Sequence, residues 1–191
     1  MSQDDLFQVD WSRIPAPVDD GAARHLVGRV LPAVALPATD GATVTLSELP
    51  GRSVVFGYPR TGEPGRIALV EDWDMIPGAR GCTPQTCAFR DLFAELTAAG
   101  ARRVFGLSTQ STEYQREMAE RLHLPFPVLS DEALALTRAL SLPTMQVAGQ
   151  TMIKRLTMIV DEGRISHVFY PVFPPDRNAG DVLAWLRDNP A

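Results

Sequence analysis

Two cysteines stand five positions apart in the segment Gly81-Cys82-Thr83-Pro84-Gln85-Thr86-Cys87-Ala88-Phe89-Arg90-Asp91, and the 191 residues contain no others. Pro84 suits the first turn of a helix, where its missing N–H is not needed. That arrangement sets Cys82 at the helix N-terminus, facing unpaired backbone N–H groups and the positive end of the dipole. Both effects favour thiolate over thiol, and thiolate is the nucleophilic form. Cys87 lies further along the same helix. Five residues rise about 7.5 Å, and the Cα atoms come out roughly 8–9 Å apart, beyond the ~7 Å a disulfide tolerates. A bridge between the two therefore needs the first turn to unwind, which suits a redox-cycling pair better than a static cross-link. Two inert core cysteines are the plain alternative; the position at a helix start, directly after a Gly/Pro-rich loop, argues against it. A zinc site would need four ligands, and His25, His123 and His167 stand alone without a usual spacing to the pair. The C-x-x-C of thioredoxin-type oxidoreductases is absent.

The elements around the pair read as one layered domain. Residues 1–25 carry Pro15, Pro17 and an Asp19-Asp20-Gly21 turn but no sustained apolar period, an N-terminal arm anchored by Phe7 or Trp11. Residues 26–37 are semi-extended, Thr39-Asp40-Gly41-Ala42 is a turn, and residues 43–46 alternate like a strand. The apolar run 53–56 between Gly51 and Gly57 fits a central strand covered on both faces. Residues 58–81 then form a long segment broken by Gly62, Pro64, Gly65, Pro77 and Gly78, with one short apolar run at 67–70. A loop of that length in a compact domain is uncommon and usually functional or disordered. After Cys82 a helical period carries through Phe89, Leu92, Phe93 and Leu96 to a stop at Gly100. Strands follow at 103–107 and 125–129. Helices are expected at 111–123 and, capped by Ser130, at 131–140. A hairpin at Ala148-Gly149 leads to strands at 156–160 and 165–170 around the turn Asp161-Glu162-Gly163. A last helix runs from Asn178 or Asp181 to Arg187. The order β-β-α-β-α-β-α-β-β-α predicts an α/β domain with helices on a mixed sheet.

Composition narrows the function. Eighteen Lys and Arg against 23 Asp and Glu give a net charge of −5, the wrong sign for an electrostatic nucleic-acid binder. No apolar run approaches the ~20 residues of a membrane span, and the acidic start lacks the pattern of a signal peptide. Two cysteines are too few for a disulfide-stapled scaffold, so a reducing cytoplasm is the expected setting.

The residues in hand resemble the peroxiredoxin family, in its peroxiredoxin Q or bacterioferritin-comigratory branch. The matching pieces are Thr39-Asp40-Gly41, Val54-Val55-Phe56-Gly57-Tyr58-Pro59, the cysteine segment, Gly106-Leu107-Ser108, Leu124-Pro125-Phe126-Pro127-Val128-Leu129-Ser130-Asp131, and Arg155-Leu156-Thr157-Met158-Ile159-Val160-Asp161. They run in order over residues 26–190. The resemblance implies a thioredoxin fold and a thiol peroxidase acting on hydrogen peroxide or organic hydroperoxides. It implies Cys82 as the peroxidatic cysteine, Cys87 as the resolving one, and Arg155 as the arginine that stabilises the thiolate and orients peroxide, with Pro59, Thr61 and Gly81 beside the substrate. An ordinary strand-end surface charge is the alternative for Arg155, with Lys154 on the opposite face. The cycle implied needs no metal, haem, flavin or nucleotide. It needs a thioredoxin-like dithiol to reduce the disulfide, and a monomer or weak homodimer suffices.

The chain departs from the family pattern at one place. The family's Tyr-Pro lies close before the peroxidatic cysteine, with Thr or Ser three residues ahead of it. Here Ala79 holds that position and Pro59 stands 23 residues before Cys82, so an insertion occupies residues 60–80. Thr61 either returns to supply the missing hydroxyl or is a plain turn residue. Trp73 and Met75 either roof the pocket, meet another subunit or form satellite core. Two other functions fit the same fold: a thiol–disulfide oxidoreductase, and a non-enzymatic redox-sensing or binding module.

Overall fold

The computed structural model describes residues 9–65 and 68–190; Phe7 and the first residue of the apolar run 67–70 lie outside them. A five-stranded mixed sheet, in the spatial order 128–130, 103–108, 52–57, 156–161 and 164–169, forms the frame. Its strands are β3 (Arg52–Gly57), β4 (Arg103–Ser108), β5 (Val128–Ser130), β8 (Leu156–Asp161) and β9 (Arg164–Phe169). β3 runs parallel to β4 and antiparallel to β8, and β4 runs parallel to β5. The apolar run in β3 is central, as its composition predicts. Side chains alternate across a strand, so Val55 enters one core with Leu26, Leu107 and Met158, while Val54 and Phe56 enter another with Cys82, Cys87 and Phe89.

Helices cover both faces. α1 (Cys82–Asp91), α2 (Phe93–Ala98), α3 (Thr112–Arg121) and α5 (Asn178–Asp188) share the cysteine face, and α4 (Ala135–Leu140) packs on the other. Two small hairpins complete the domain. β1 (Ala35–Pro37) pairs with β2 (Thr43–Thr45), so part of the segment expected to be merely semi-extended is a strand. β6 (Thr144–Val147) pairs with β7 (Gln150–Ile153). The turn between β6 and β7 is Ala148-Gly149, both at positive φ, which matches the right-handed strand twist.

Three local expectations are corrected. The helical period after Cys82 is two helices, because the chain leaves helical geometry at Leu92 (φ −98°, ψ 10°) and restarts at Phe93. The strand expected at 125–129 pairs only over Val128–Ser130; Pro125 and Pro127 have no N–H for a ladder. Ser130 caps nothing. Its hydroxyl donates to the Gln110 carbonyl, while the Asp131 carboxylate accepts from the N–H groups of Leu136 and Thr137, and α4 begins only at Ala135. At the end of the described part of the arm, Ala23 lies in the same buried cluster as Leu26. No helix among the described residues is long and apolar enough to cross a membrane.

Candidate active site

Cys82 is the first residue of α1, and Gly81 before it takes φ 102°, a left-handed conformation that a residue with a Cβ resists. The first-turn N–H groups have no intrahelical acceptors, and Pro84 contributes none, as the sequence predicts. Cys82 is 3% exposed and Cys87 5%, and neither is bonded to another cysteine. Burial pushes the Cys87 thiol up from its ordinary value.

Arg155 lies between β7 and β8 and is 2% exposed, so it is no surface charge; Lys154, on the opposite side, reaches out to Asp20 at 2.7 Å. The Arg155 Nη2 donates to Cys82 Sγ at 3.2 Å. The same nitrogen lies 3.2, 3.3 and 3.0 Å from the carbonyl oxygens of Gly78, Ala79 and Arg80. Its Nη1 donates to Gln85 Oε1, and its Nε has no hydrogen-bond partner among the described residues. The ion pairs found among the described residues leave Arg155 out. A buried cation held only by neutral oxygens carries a desolvation cost that a neighbouring anion offsets. The sulfur of Cys82, once ionised, is that anion.

A chain of buried side chains ties this pair to the frame. Gln85 Nε2 donates to Asn178 Oδ1 at 2.9 Å, and Thr157 Oγ1 donates to the same oxygen at 2.6 Å. Thr157 belongs to β8 and Asn178 opens α5, so the sheet and the last helix both set the arginine's position. The second half of α1 is held by a different force: Phe89 stacks on Phe56 at 4.2 Å with 5° between the rings. Neither Gln85 nor Asn178 is marked by sequence reasoning, because a lone Gln or Asn in a helix looks like surface filler. Tyr58 was visible only as a motif letter. Its side chain is fully buried, burial suppresses its ionisation, and it feels the charges of Cys82 and Arg155.

Thr61, Pro59 and Gly81 each make further contacts. The Thr61 N–H and hydroxyl both donate to Gln110 Oε1, at 2.9 and 3.2 Å, and its carbonyl accepts from Gln110 and Tyr114. Its hydroxyl is thus turned to Gln110, whereas the hydrogen bonds of the Cys82 sulfur go to Arg155 and to the Ala79 carbonyl. Pro59 lines a cleft of about 400 Å³ with Gln110 and Tyr114. Gly81 is packed between the rings of Trp11 and Pro175. In the insertion, Trp73 is half-buried in a short 3-10 turn and Met75 is 60% exposed, and neither belongs to the two core clusters. The insertion's end does meet the site, because its last carbonyls wrap the guanidinium. A cavity of about 90 Å³ opens beside Arg155 between Pro17, Val18, Pro77, Gly78 and Met145. Among the described residues no cluster of His, Cys, Asp or Glu could hold a metal ion.

The family model described as Redoxin matches residues 26–183. The chain is 31% identical over 182 residues to the chloroplastic peroxiredoxin Q of Triticum aestivum, covering 91% of this chain and 75% of that one. It is 32% identical over 167 residues to peroxiredoxin Bcp of Escherichia coli, covering 85% and 96%. Among solved structures, peroxidoxin BcpB of Mycobacterium tuberculosis superposes with a TM-score of 0.68 at 27% identity, covering 86% of this chain and 98% of that one. The bacterioferritin comigratory protein of Xanthomonas campestris, whose structure was analysed for alkyl peroxide reduction, gives 0.64 at 25%, covering 83% and 95%.

Proposed function

The chain belongs to the Redoxin family as a thiol-dependent peroxidase of the peroxiredoxin Q kind, and from that premise we propose that Cys82 is its peroxidatic cysteine, Cys87 its resolving cysteine and Arg155 the cation that serves both sulfur and peroxide. The observation that carries this assignment is the contact of 3.2 Å between the Arg155 guanidinium and Cys82 Sγ inside a buried site.

The Cys82 thiolate attacks the terminal oxygen of the hydroperoxide. The O–O bond breaks, sulfenic acid forms, and the departing oxygen leaves as water or alcohol after taking a proton. Arg155 stabilises the negative charge that passes from sulfur to that oxygen, a role for preorganised donors in a site closed to water. Its Nε–H, unpartnered in the resting protein, is a free donor for this purpose. The Cys87 thiol then condenses with the sulfenic acid, forming the S–S bond and releasing water. Both cysteines are in helical geometry within α1, so this second step requires the first turn to open.

A thioredoxin-like dithiol closes the cycle by exchange and is itself oxidised. Hydrogen peroxide and small organic hydroperoxides are the substrates we assign; the alkyl peroxide reduction of the Xanthomonas campestris protein supports the second class. Both cysteines sit in one chain, so a monomer or weak homodimer is sufficient. A reducing cytoplasm suits thiols that must be regenerated after each turnover.

The test adds one equivalent of hydrogen peroxide to the reduced protein and reads intact mass and free thiols. Loss of both thiols within seconds, as a 2 Da decrease joining Cys82 to Cys87, is expected. Two thiols surviving for minutes would overturn the assignment and favour a redox-inert binding module.

A further inference from the structure

We propose that Trp11, in the N-terminal arm, is a positioning residue that latches the first turn of α1 and so sets how readily Cys82 reaches Cys87. The inference rests on the assignment of those two cysteines given above. Residues 9–20 precede the segment the family model matches, yet they lie across the loop that delivers Cys82. Trp11 opens a 3-10 turn, Trp11–Arg13, whose N-cap Asp10 accepts from the Ser12 N–H at 3.1 Å. The indole N–H donates to Asp176 Oδ2 at 2.8 Å, and the ring meets Phe173 edge-on at 6.0 Å.

The opposite edge of the ring lies on Gly81. A Cβ built there would stand 2.7 Å from Trp11 Cη2 and 2.6 Å from Pro175 Cγ, so two rings rest on the backbone directly before Cys82. Further along the arm, Pro17 packs near Gly78, and Asp20 is bound by Lys154 and by the Tyr170 hydroxyl, each at 2.7 Å. The arm is thus fixed on both sides of residues 78–81. Opening the first turn must move Gly81, and Gly81 cannot move outward without displacing the indole. Trp11 therefore favours the folded form, in which Arg155 contacts sulfur, over the open form, in which the disulfide closes.

The sulfenic acid at Cys82 has two fates. Condensation with the Cys87 thiol gives disulfide and water; reaction with a second hydroperoxide gives sulfinic acid and water or alcohol. The latch biases the partition toward the second. Trp11→Ala loses an aromatic contact and a hydrogen bond to a carboxylate, enough for the open form to gain roughly tenfold.

Two readouts test this in the full-length protein. In the reduced state, backbone hydrogen exchange of Gln85 and Thr86, the first amides bonded within the helix, should rise roughly tenfold in Trp11→Ala and less in Trp11→Phe, which keeps a ring on Gly81. Under a fixed excess of hydrogen peroxide, the ratio of sulfinic acid to disulfide, read by mass, should fall by a similar factor. Asp176→Asn, which weakens only the indole hydrogen bond, should fall between wild type and alanine in both. Unchanged exchange at Gln85 and Thr86 in these variants overturns the latch. So does an unchanged product ratio in a Trp11→Ala protein that has merely lost melting temperature. If wild type itself forms no disulfide, the cysteine assignment fails, and the exchange experiment still decides whether Trp11 holds the helix start.

Discussion

Replacing Arg155 by methionine removes the charge at nearly constant length and tests the centre of the proposed chemistry. Arg155 and Cys82 are 2% and 3% exposed, and the guanidinium donates to the sulfur at 3.2 Å. A hydrogen bond to an ionised partner contributes about 1.5–3 kcal/mol. If that amount acts on the charge shared between sulfur and the departing oxygen, the second-order rate with peroxide falls by roughly 10–150-fold, at about 1.4 kcal/mol per decade. The assay is stopped-flow consumption of hydrogen peroxide by the reduced protein, with Trp fluorescence as reporter. Because the pair is buried, the ratio of wild-type to variant rates should change little between about 0.05 and 0.5 M salt. Arg155→Lys keeps a charge but cannot span the sulfur, Gln85 and three carbonyls together, so its rate should lie between the two. Arg155→Met also strands the oxygens of Gly78, Ala79, Arg80 and Gln85 and will melt earlier, so rates are compared well below its melting temperature. A folded Arg155→Met protein reacting within about threefold of wild type, against the 10-fold minimum above, would refute the reasoning.

Gln85→Ala cuts the link from Asn178 to the guanidinium. A loss of about 1–3 kcal/mol in a urea melt is expected, with a peroxide rate lowered less than in Arg155→Met. In a Cys82→Ser protein, Cys87 should alkylate more slowly than a free thiol and at the ordinary rate once urea unfolds the chain, since burial raises its pKa above the usual 9.0. The folded value is the higher one, so the stability this thiol contributes is present below about pH 9 and is lost as pH rises through the folded value. His167 is lowered by burial and stacks on Trp185 at 4.9 Å. Its folded value lies below the unfolded 6.5, so its contribution is present above that pH and disappears as pH falls. The urea midpoint should therefore drop between about pH 7.5 and 5, and less so in His167→Phe.

Much of this was legible in the residues because local physics decided it. The run Val54-Val55-Phe56 between two glycines fitted a central strand, and Gly81 with Pro84 marked the helix start that presents Cys82. Arg155 was found through resemblance alone; nothing in its own neighbourhood said that it would be buried. Its partners were hidden for a physical reason. Three of them are backbone carbonyls at the end of the insertion, and a carbonyl has no letter in a sequence. Gln85 and Asn178 lie 93 positions apart and meet only because α5 packs on α1. Asp131 displaced Ser130 as the group that holds α4 because its carboxylate can reach two N–H groups five and six residues on, a geometry set by the intervening turn. Thr61 could be a returning hydroxyl or a plain turn residue; that Gln110 offers its hydroxyl and N–H a common acceptor was hidden, because that pairing needs two loops to meet.

The stacking of Phe89 on Phe56 fixes which cysteine travels. The far half of α1 is anchored by an aromatic ring seated on the central strand, while the near half is held by hydrogen bonds from Gln85, Arg155 and Thr86, together with the packing on Gly81. Polar ties can be exchanged for water; a buried ring pair cannot, without exposing the core. Unravelling that begins at Gly81 therefore has a built-in stop before Phe89. In the proposed cycle Cys87 stays at the edge of the intact remnant, and Cys82 is carried to it, away from the Arg155 guanidinium. The movement that closes the disulfide is the same movement that switches off the nucleophile.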